Sequence, residues 1–258
     1  MRHLPDVELI QTPEGLRYLL LQGPDTHGVS QSLRARGMYE PNLQVLAGAL
    51  LQANPVAEGV VLDIGANLGS FMVPMAKRFG SLQFHCFEVQ PPIYYQLCAN
   101  VMLNRLGNVT AHPFGLGRAE AEIEVTLPVY SDEINIGSFS LSADMRREVR
   151  GGEFKGDRVK VKIVNLDSLF IERVRLVKID VEGLELEVLQ GAAGTLLRSG
   201  FPPIIYEAWA FDWYAEQKRA LEAFLIGLGY RLMNFDGSEN FIAQHPGCLL
   251  SGDLAHHR

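Results

Sequence analysis

Cysteine is scarce in this sequence. Its three residues, Cys86, Cys98 and Cys248, show no metal-type spacing, and Cys86 lies in an apolar run where a small buried thiol fits, so a reducing compartment is expected. No run of five or more basic residues occurs. The densest stretch, MRREVR at 145–150, contains Glu148, and with a net charge of −7 the chain offers a nucleic-acid partner no electrostatic support. Long apolar runs are missing too: LQVLAGALLQANPVA is interrupted by polar residues and too short for a bilayer, and MRHLPDVELIQTPEG has no apolar signal core. A soluble, cytoplasmic protein without a membrane partner is the expectation. There is no internal repeat and no low-complexity tract. The 258 residues, 47% of them hydrophobic, suffice for one domain with a sizeable core.

What is present is alternation. Residues 1–40 are punctuated by Gly and Pro and read as a short hairpin around GLRYLLLQG followed by loop. EPNLQVLAGALLQAN reads as a helix, with Pro41 in its first turn and apolar residues at 43, 46, 47, 50 and 51. GVVLDIG, LQFHCFE and NVTAHPFG then read as strands, separated by the helices LGSFMVPMAKRFG and PPIYYQLCANVMLNRL. Two alternating strands, AEAEIEVTLP and DRVKVKIV, bracket a polar stretch, marking a β-rich insertion over about 118–165. Strand–helix alternation returns with VRLVKIDVEG, one helix over LELEVLQGAAGTLLRSG, the strand PPIIYEAW and the helix WYAEQKRALEAFLIGLG. YRLMNFDGSENFIAQ closes as two strands around a turn. The class is α/β with a mostly parallel sheet and helices on both faces. Residues 1–55 form an N-terminal segment with a helix, and 56–258 the main domain.

Ligands of open α/β sheets bind beyond the carboxyl ends of the strands. In VVLDIGANLGSF the glycines of the loop are Gly65 and Gly69, and Asn67 stands where a dinucleotide fingerprint has its second glycine. Asp63 would repel a pyrophosphate but suits a cation. S-adenosylmethionine carries an α-ammonium and a sulfonium, with a carboxylate free to face the N–H groups of a helix start. Glu88, 25 positions after Asp63, closes the second strand, where an acid can accept both hydroxyls of a ribose. That second clue is shared with NAD-binding folds.

VVLDIGANLGSF, FHCFEVQPP and above all VKIDVEGLELEVLQGA resemble the FkbM family of class I S-adenosylmethionine-dependent methyltransferases, over about residues 60–245, with VNLDSL (164–169) and the strand-ending Glu207 in support. The resemblance implies a Rossmann-like, seven-stranded sheet of order 3-2-1-4-5-7-6 with its last strand reversed, and O-methylation as the usual chemistry. It carries the cofactor to Asp63, Gly65, Ala66, Asn67, Gly69, Glu88 and Val89, with Gly115 of the PFGLG loop edging the adenine. No acid stands in that loop, so adenine recognition is left to backbone or other side chains.

Asp180, Glu182 and Glu207 sit at the ends of adjacent strands, about 4.8 Å apart in a sheet. Three roles compete for them: general base toward an alcohol, ligands of a divalent metal, or, for Glu182, a helix cap. A catalytic role for the three acids is the expectation, with no metal assigned because no histidine joins them. Lys178 shares the strand face of Asp180 and can pair with a carboxylate. Glu185 and Glu187 read as solvated helix residues, His85 as core, and Trp209, Trp213 and Tyr214 as packing. His112 and His27 are weak ligand candidates, NIGSFSL (135–141) a candidate wall of the acceptor pocket, and Tyr39 and Glu40 a candidate cover for the cofactor. The expected activity is O-methylation of a small-molecule hydroxyl, on a sugar or a secondary-metabolite intermediate. The rivals are an NAD-dependent oxidoreductase and a cofactor-binding partner subunit without catalysis. A homo-oligomer stays open, through the apolar FLIGLGY helix end or a sheet edge.

Overall fold

The computed structural model describes residues 6–22, 28–53, 58–130, 139–142, 146, 148, 154–235, 237 and 239–247. In chain order the strands are β1 (Val7–Gln11), β2 (Arg17–Leu21), β3 (Val60–Ile64), β4 (Gln83–Phe87), β5 (Val109–His112), β6 (Gly115–Leu116), β7 (Ala121–Thr126), β8 (Arg158–Val164), β9 (Val174–Ile179), β10 (Ile204–Glu207), β11 (Arg231–Asn234) and β12 (Asn240–Gln244). The helices are α1 (Val29–Arg36), α2 (Pro41–Ala53), α3 (Met72–Arg78), α4 (Pro91–Leu103), α5 (Glu185–Gln190), α6 (Ala193–Arg198) and α7 (Ala215–Gly227).

Seven strands form the central sheet in the order β11-β12-β10-β9-β3-β4-β5. Numbered by chain order within the sheet and read from the β5 edge, this is 3-2-1-4-5-7-6. The five strands from β10 to β5 run parallel, and β12 is antiparallel to both β10 and β11. Helices cover both faces, which is why β3 and β9 are apolar almost throughout. On one face Val61, Phe84, Leu176 and Ile205 pack against α2, α3 and the β1–β2 hairpin. On the other, Leu62, Ile64, Val177, Ile179 and Tyr206 pack against α5, α6 and α7. Among the described residues no helix is long and apolar enough to cross a membrane.

Helix α2 buries Leu43, Leu46, Ala47, Leu50 and Leu51, the stripe its spacing predicts. Three local expectations differ from the structure. Residues 29–36, read as loop, form α1, which ends at Gly37 with φ 73°. Its core face holds only Val29, Ser30 and Leu33, too little for periodicity to register. The helix expected over LELEVLQGAAGTLLRSG is two helices. Gly191 passes so close to the backbone of Gly117 that a Cβ would lie 2.1 Å from its carbonyl oxygen, and Asp167 accepts from the Gly194 N–H at 2.9 Å to start α6 afresh. NVTAHPFG likewise divides: β5 joins the central sheet, while β6 leaves it to pair with β8 beside the antiparallel β7–β8 ribbon of the insertion.

The hairpin is fastened to α4 by side chains. Gln96, Asn100 and Asn104, each four residues from the next, lie on one helical stripe. Asn100 Oδ1 accepts from Leu19 N at 2.6 Å, and Asn104 Oδ1 accepts from Arg17 N at 2.9 Å. Asn104 Nδ2 donates to Arg17 O and Gln96 Nε2 to Leu19 O, at 2.7 and 2.9 Å. The edge of β2 thus finds amide partners where a neighbouring strand would supply them. Asn100 Nδ2 also donates to Leu68 O in the glycine loop at 2.8 Å.

Candidate active site

The carboxyl ends of β3, β4, β9 and β10 converge beneath the loop that follows β3. Gly65 makes that loop fit: its φ is +80°, and a Cβ would lie 1.8 Å from the Asp180 carbonyl oxygen. Gly65 N and Ala66 N both donate to Phe87 O at 3.0 Å, tying the loop to the end of β4. Asn67, left-handed at φ +50°, turns its N–H to Glu88 Oε2 at 3.0 Å, and Gln90 N donates to Glu88 Oε1 at 2.8 Å. Burial outweighs these bonds and raises the Glu88 carboxyl to about 7.

Two cavities open here. The first is lined by Gly65, Asn67, Glu88, Val89 and Gly115, with Phe139 and Leu141 on its apolar side. The second is lined by Tyr39, Glu40, Ala66, Lys178, Glu207 and Asn240. They share Gly65, Asn67, Asp180 and Glu182, so the acids stand at the junction.

Asp180, Glu182 and Glu207 each offer a carboxylate oxygen within 4.8 Å of the others, an arrangement open to a divalent cation. Lys178 already stands against it, its ammonium 3.0 Å from Asp180 Oδ2. Burial, and then the neighbouring Asp180, Glu182, Glu185 and Glu40, push Glu207 up to about 10, so it holds a proton at neutral pH. Lys178 stays charged: burial works against its ammonium, but Asp180, Asp63 and Glu40 outweigh that and raise its pKa. Glu182 adopts φ +56° ahead of Gly183 at φ +96°. The turn is held from below by Glu185, whose Oε1 accepts from Val181 N and Gly183 N at 3.2 and 3.1 Å while Tyr214 Oη donates to its Oε2 at 3.1 Å.

Several expected residues lie elsewhere. Asp63, expected to face a cofactor, is fully buried and lines neither cavity; it shares a sheet face with its register partner Lys178, whose Nζ lies 3.6 Å away. Gly69 lines neither cavity, and a Cβ there would meet Leu97, Val73 and Met72, so its smallness serves helix packing. Glu185, read as solvated, is 2% exposed. A carboxylate opening a helix two residues after glycine is the signal that could have marked it as the acid that binds the turn's N–H groups. His112 lines neither cavity; it stacks on Phe87 with centroids 4.6 Å apart, and its Nε2 lies 3.1 Å from Nδ1 of the half-buried His85. Phe139 and Leu141 of NIGSFSL wall the first cavity, and Tyr39 and Glu40 the second. Trp209 and Tyr214 are buried in the core. His27, Cys248 and residues 135–138 lie outside the described residues.

A seven-stranded sheet with one reversed strand, and a glycine loop beside a strand-ending acid, define a Rossmann-like α/β fold. The chain belongs to the FkbM methyltransferase family: the family model described as "Methyltransferase FkbM domain" matches residues 63–232. Among curated relatives, "Methyltransferase 1" of Beauveria bassiana is 26% identical over 147 residues, covering 52% of this chain and 58% of that protein. "Methyltransferase sdnD" of Sordaria araneosa is 30% identical over 162 residues, covering 54% and 62%. The chain therefore spans about three fifths of the length of these two relatives. Of solved structures, Methyltransferase FkbM from Methylobacillus flagellatus KT aligns at 15% identity with a TM-score of 0.47, over 72% of this chain and 43% of that one.

Proposed function

We propose that the chain is an S-adenosylmethionine-dependent methyltransferase that methylates a hydroxyl of a small molecule, with the cofactor in the first cavity and the acceptor in the second. The observation that carries this reading is the shared wall: two cavities of different character meet at Gly65, Asn67, Asp180 and Glu182. The first fits the cofactor in its donor set. Glu88, with lone pairs to spare beyond its two backbone bonds, suits a ribose diol, and Val89, Phe139 and Leu141 suit an adenine face. Gly115 lines that slot with bare backbone; a Cβ there would lie 2.9 Å from Ile163 and 3.5 Å from Val89.

When bound, the cofactor supplies an electrophilic methyl group on its sulfonium. The chain's own residues would orient the acceptor and take up its proton. Asp180, on the wall that the two cavities share, is the acid placed to accept the hydroxyl proton. Glu207, protonated by burial and like charge, is suited to donate a hydrogen bond to the acceptor, and Glu182 to hold a second hydroxyl. No metal is assigned a step, because the Lys178 ammonium already neutralises Asp180.

Calorimetry with S-adenosylmethionine and with NAD tests the cofactor, and a screen of hydroxyl-bearing acceptors, followed by release of S-adenosylhomocysteine, tests the transfer. Micromolar S-adenosylmethionine binding without NAD binding, and turnover unaffected by EDTA, are expected. Failure to bind S-adenosylmethionine would overturn the proposal.

A further inference from the structure

Asp63 is a buried acid that lines neither cavity. It is fully buried, and neither carboxylate oxygen has a hydrogen-bond partner. The group beside it is Lys178, 6% exposed, whose Nζ lies 3.6 Å from Asp63 Oδ1, 3.0 Å from Asp180 Oδ2 and 3.3 Å from the Gly65 carbonyl oxygen. The ammonium thus donates two hydrogen bonds, to Asp180 and to the Gly65 carbonyl, and stands at ion-pair distance from Asp63. Sheet geometry produces the arrangement. Asp63 and Lys178 are register partners across β3 and β9, and Asp180 follows Lys178 by two residues.

We propose that Asp63 and Lys178 are positioning residues: Asp63 anchors the Lys178 ammonium beneath the sheet end, and the ammonium fixes the Asp180 carboxylate and the Gly65 carbonyl where the two cavities meet. The proposal rests on the methyltransferase reading, in which Asp180 acts on the acceptor. The anchor has a reason to exist. Glu40, Glu182 and Glu207 line the second cavity along with Lys178, so an untethered ammonium would have other carboxylates to turn to. Drawn from below by Asp63, it stays with Asp180. Asp63 thereby serves transfer and not cofactor affinity, the reverse of the role its place beside a glycine loop suggests.

Two measurements on the full chain decide this. In the ligand-free protein, a proton–nitrogen NMR spectrum of the lysine ammonium groups should contain a slowly exchanging resonance that disappears in Lys178→Gln. That resonance should move or exchange away in both Asp63→Asn and Asp180→Asn; an unchanged resonance in Asp63→Asn overturns the anchor. In calorimetry with S-adenosylmethionine, Asp63→Asn should bind within about threefold of wild type while methyl transfer falls on the order of 100-fold, the cost of an acid displaced by about 1 Å. Loss of cofactor affinity by tenfold or more in Asp63→Asn overturns the proposal and returns Asp63 to the cofactor. Failure of the wild type to bind S-adenosylmethionine removes the methyltransferase reading instead, and the NMR arm still decides the anchor. Should Asp63→Asn not fold, the half-buried Asp180→Asn carries the test: an unmoved Lys178 resonance in that variant overturns the proposal.

Discussion

Replacing Gly65 by alanine sets two costs against the stability of the whole domain. The first is conformational: at φ +80° an L side chain occupies the left-handed region, at about 1–2 kcal/mol. The second is steric and larger. The new Cβ would lie 1.8 Å from the carbonyl oxygen of Asp180, a backbone atom at the end of β9. Relief requires a displacement of about 1 Å or more between two strand ends, far beyond what a packed interior absorbs. The bond from Asp180 N to Ile64 O at 2.9 Å holds those ends together, and those from Gly65 N and Ala66 N to Phe87 O at 3.0 Å pin the loop to β4 on the other side. Leaving one buried backbone group unpaired costs about 1–3 kcal/mol. The total is about 2–5 kcal/mol, a large share of the roughly 5–15 kcal/mol that holds a domain together. With a urea slope of about 2 kcal/mol per molar, the midpoint should fall by about 1–2.5 M. Gly80→Ala is the control, because nothing lies within 4 Å of its added Cβ. A Gly65→Ala protein within about 1 kcal/mol of wild type would refute the reasoning.

Glu185→Ala leaves Val181 N, Gly183 N and the Tyr214 hydroxyl without their acceptor, so it should cost about 2–4 kcal/mol in denaturant titration, while Tyr214→Phe should cost about 1 kcal/mol. The pH dependence follows from burial. Glu88 and Glu185 are each raised from 4.5 to about 7 in the fold, so their contribution is full below pH 4.5 and is lost as pH rises through 7, on the order of 3 kcal/mol each. Urea midpoints should therefore fall between pH 5 and pH 8, and a rise across that window would contradict the burial argument. Asn100→Ala removes the acceptor of Leu19 N and the donor to Leu68 O together; a loss of about 2–3 kcal/mol and faster hydrogen exchange at the Leu19 amide are expected.

The architecture was legible because parallel strands buried on both faces leave continuous apolar runs, as VVLDI and VRLVKI do. The convergence of Asp180, Glu182 and Glu207 was legible for a related reason, since acids at the carboxyl ends of neighbouring strands have little choice but to meet. What escaped is contact between distant positions. Asp63 and Lys178 lie 115 residues apart and become neighbours through strand register alone, so the sequence shows an acid beside a glycine loop and hides the cation that claims it. The break after α5 is set by the backbone of Gly117 and the carboxylate of Asp167, neither of which belongs to the helical pattern. Glu185 was misread because a carboxylate in the first turn of a helix looks alike whether its partners are water or the preceding turn.

Asn100 gives the hairpin and the glycine loop a common fastening, one amide reaching Leu19 with its oxygen and Leu68 with its nitrogen. The two segments lie far apart in the chain yet share one side chain, so a single substitution at Asn100 releases the edge of β2 and the glycine loop together.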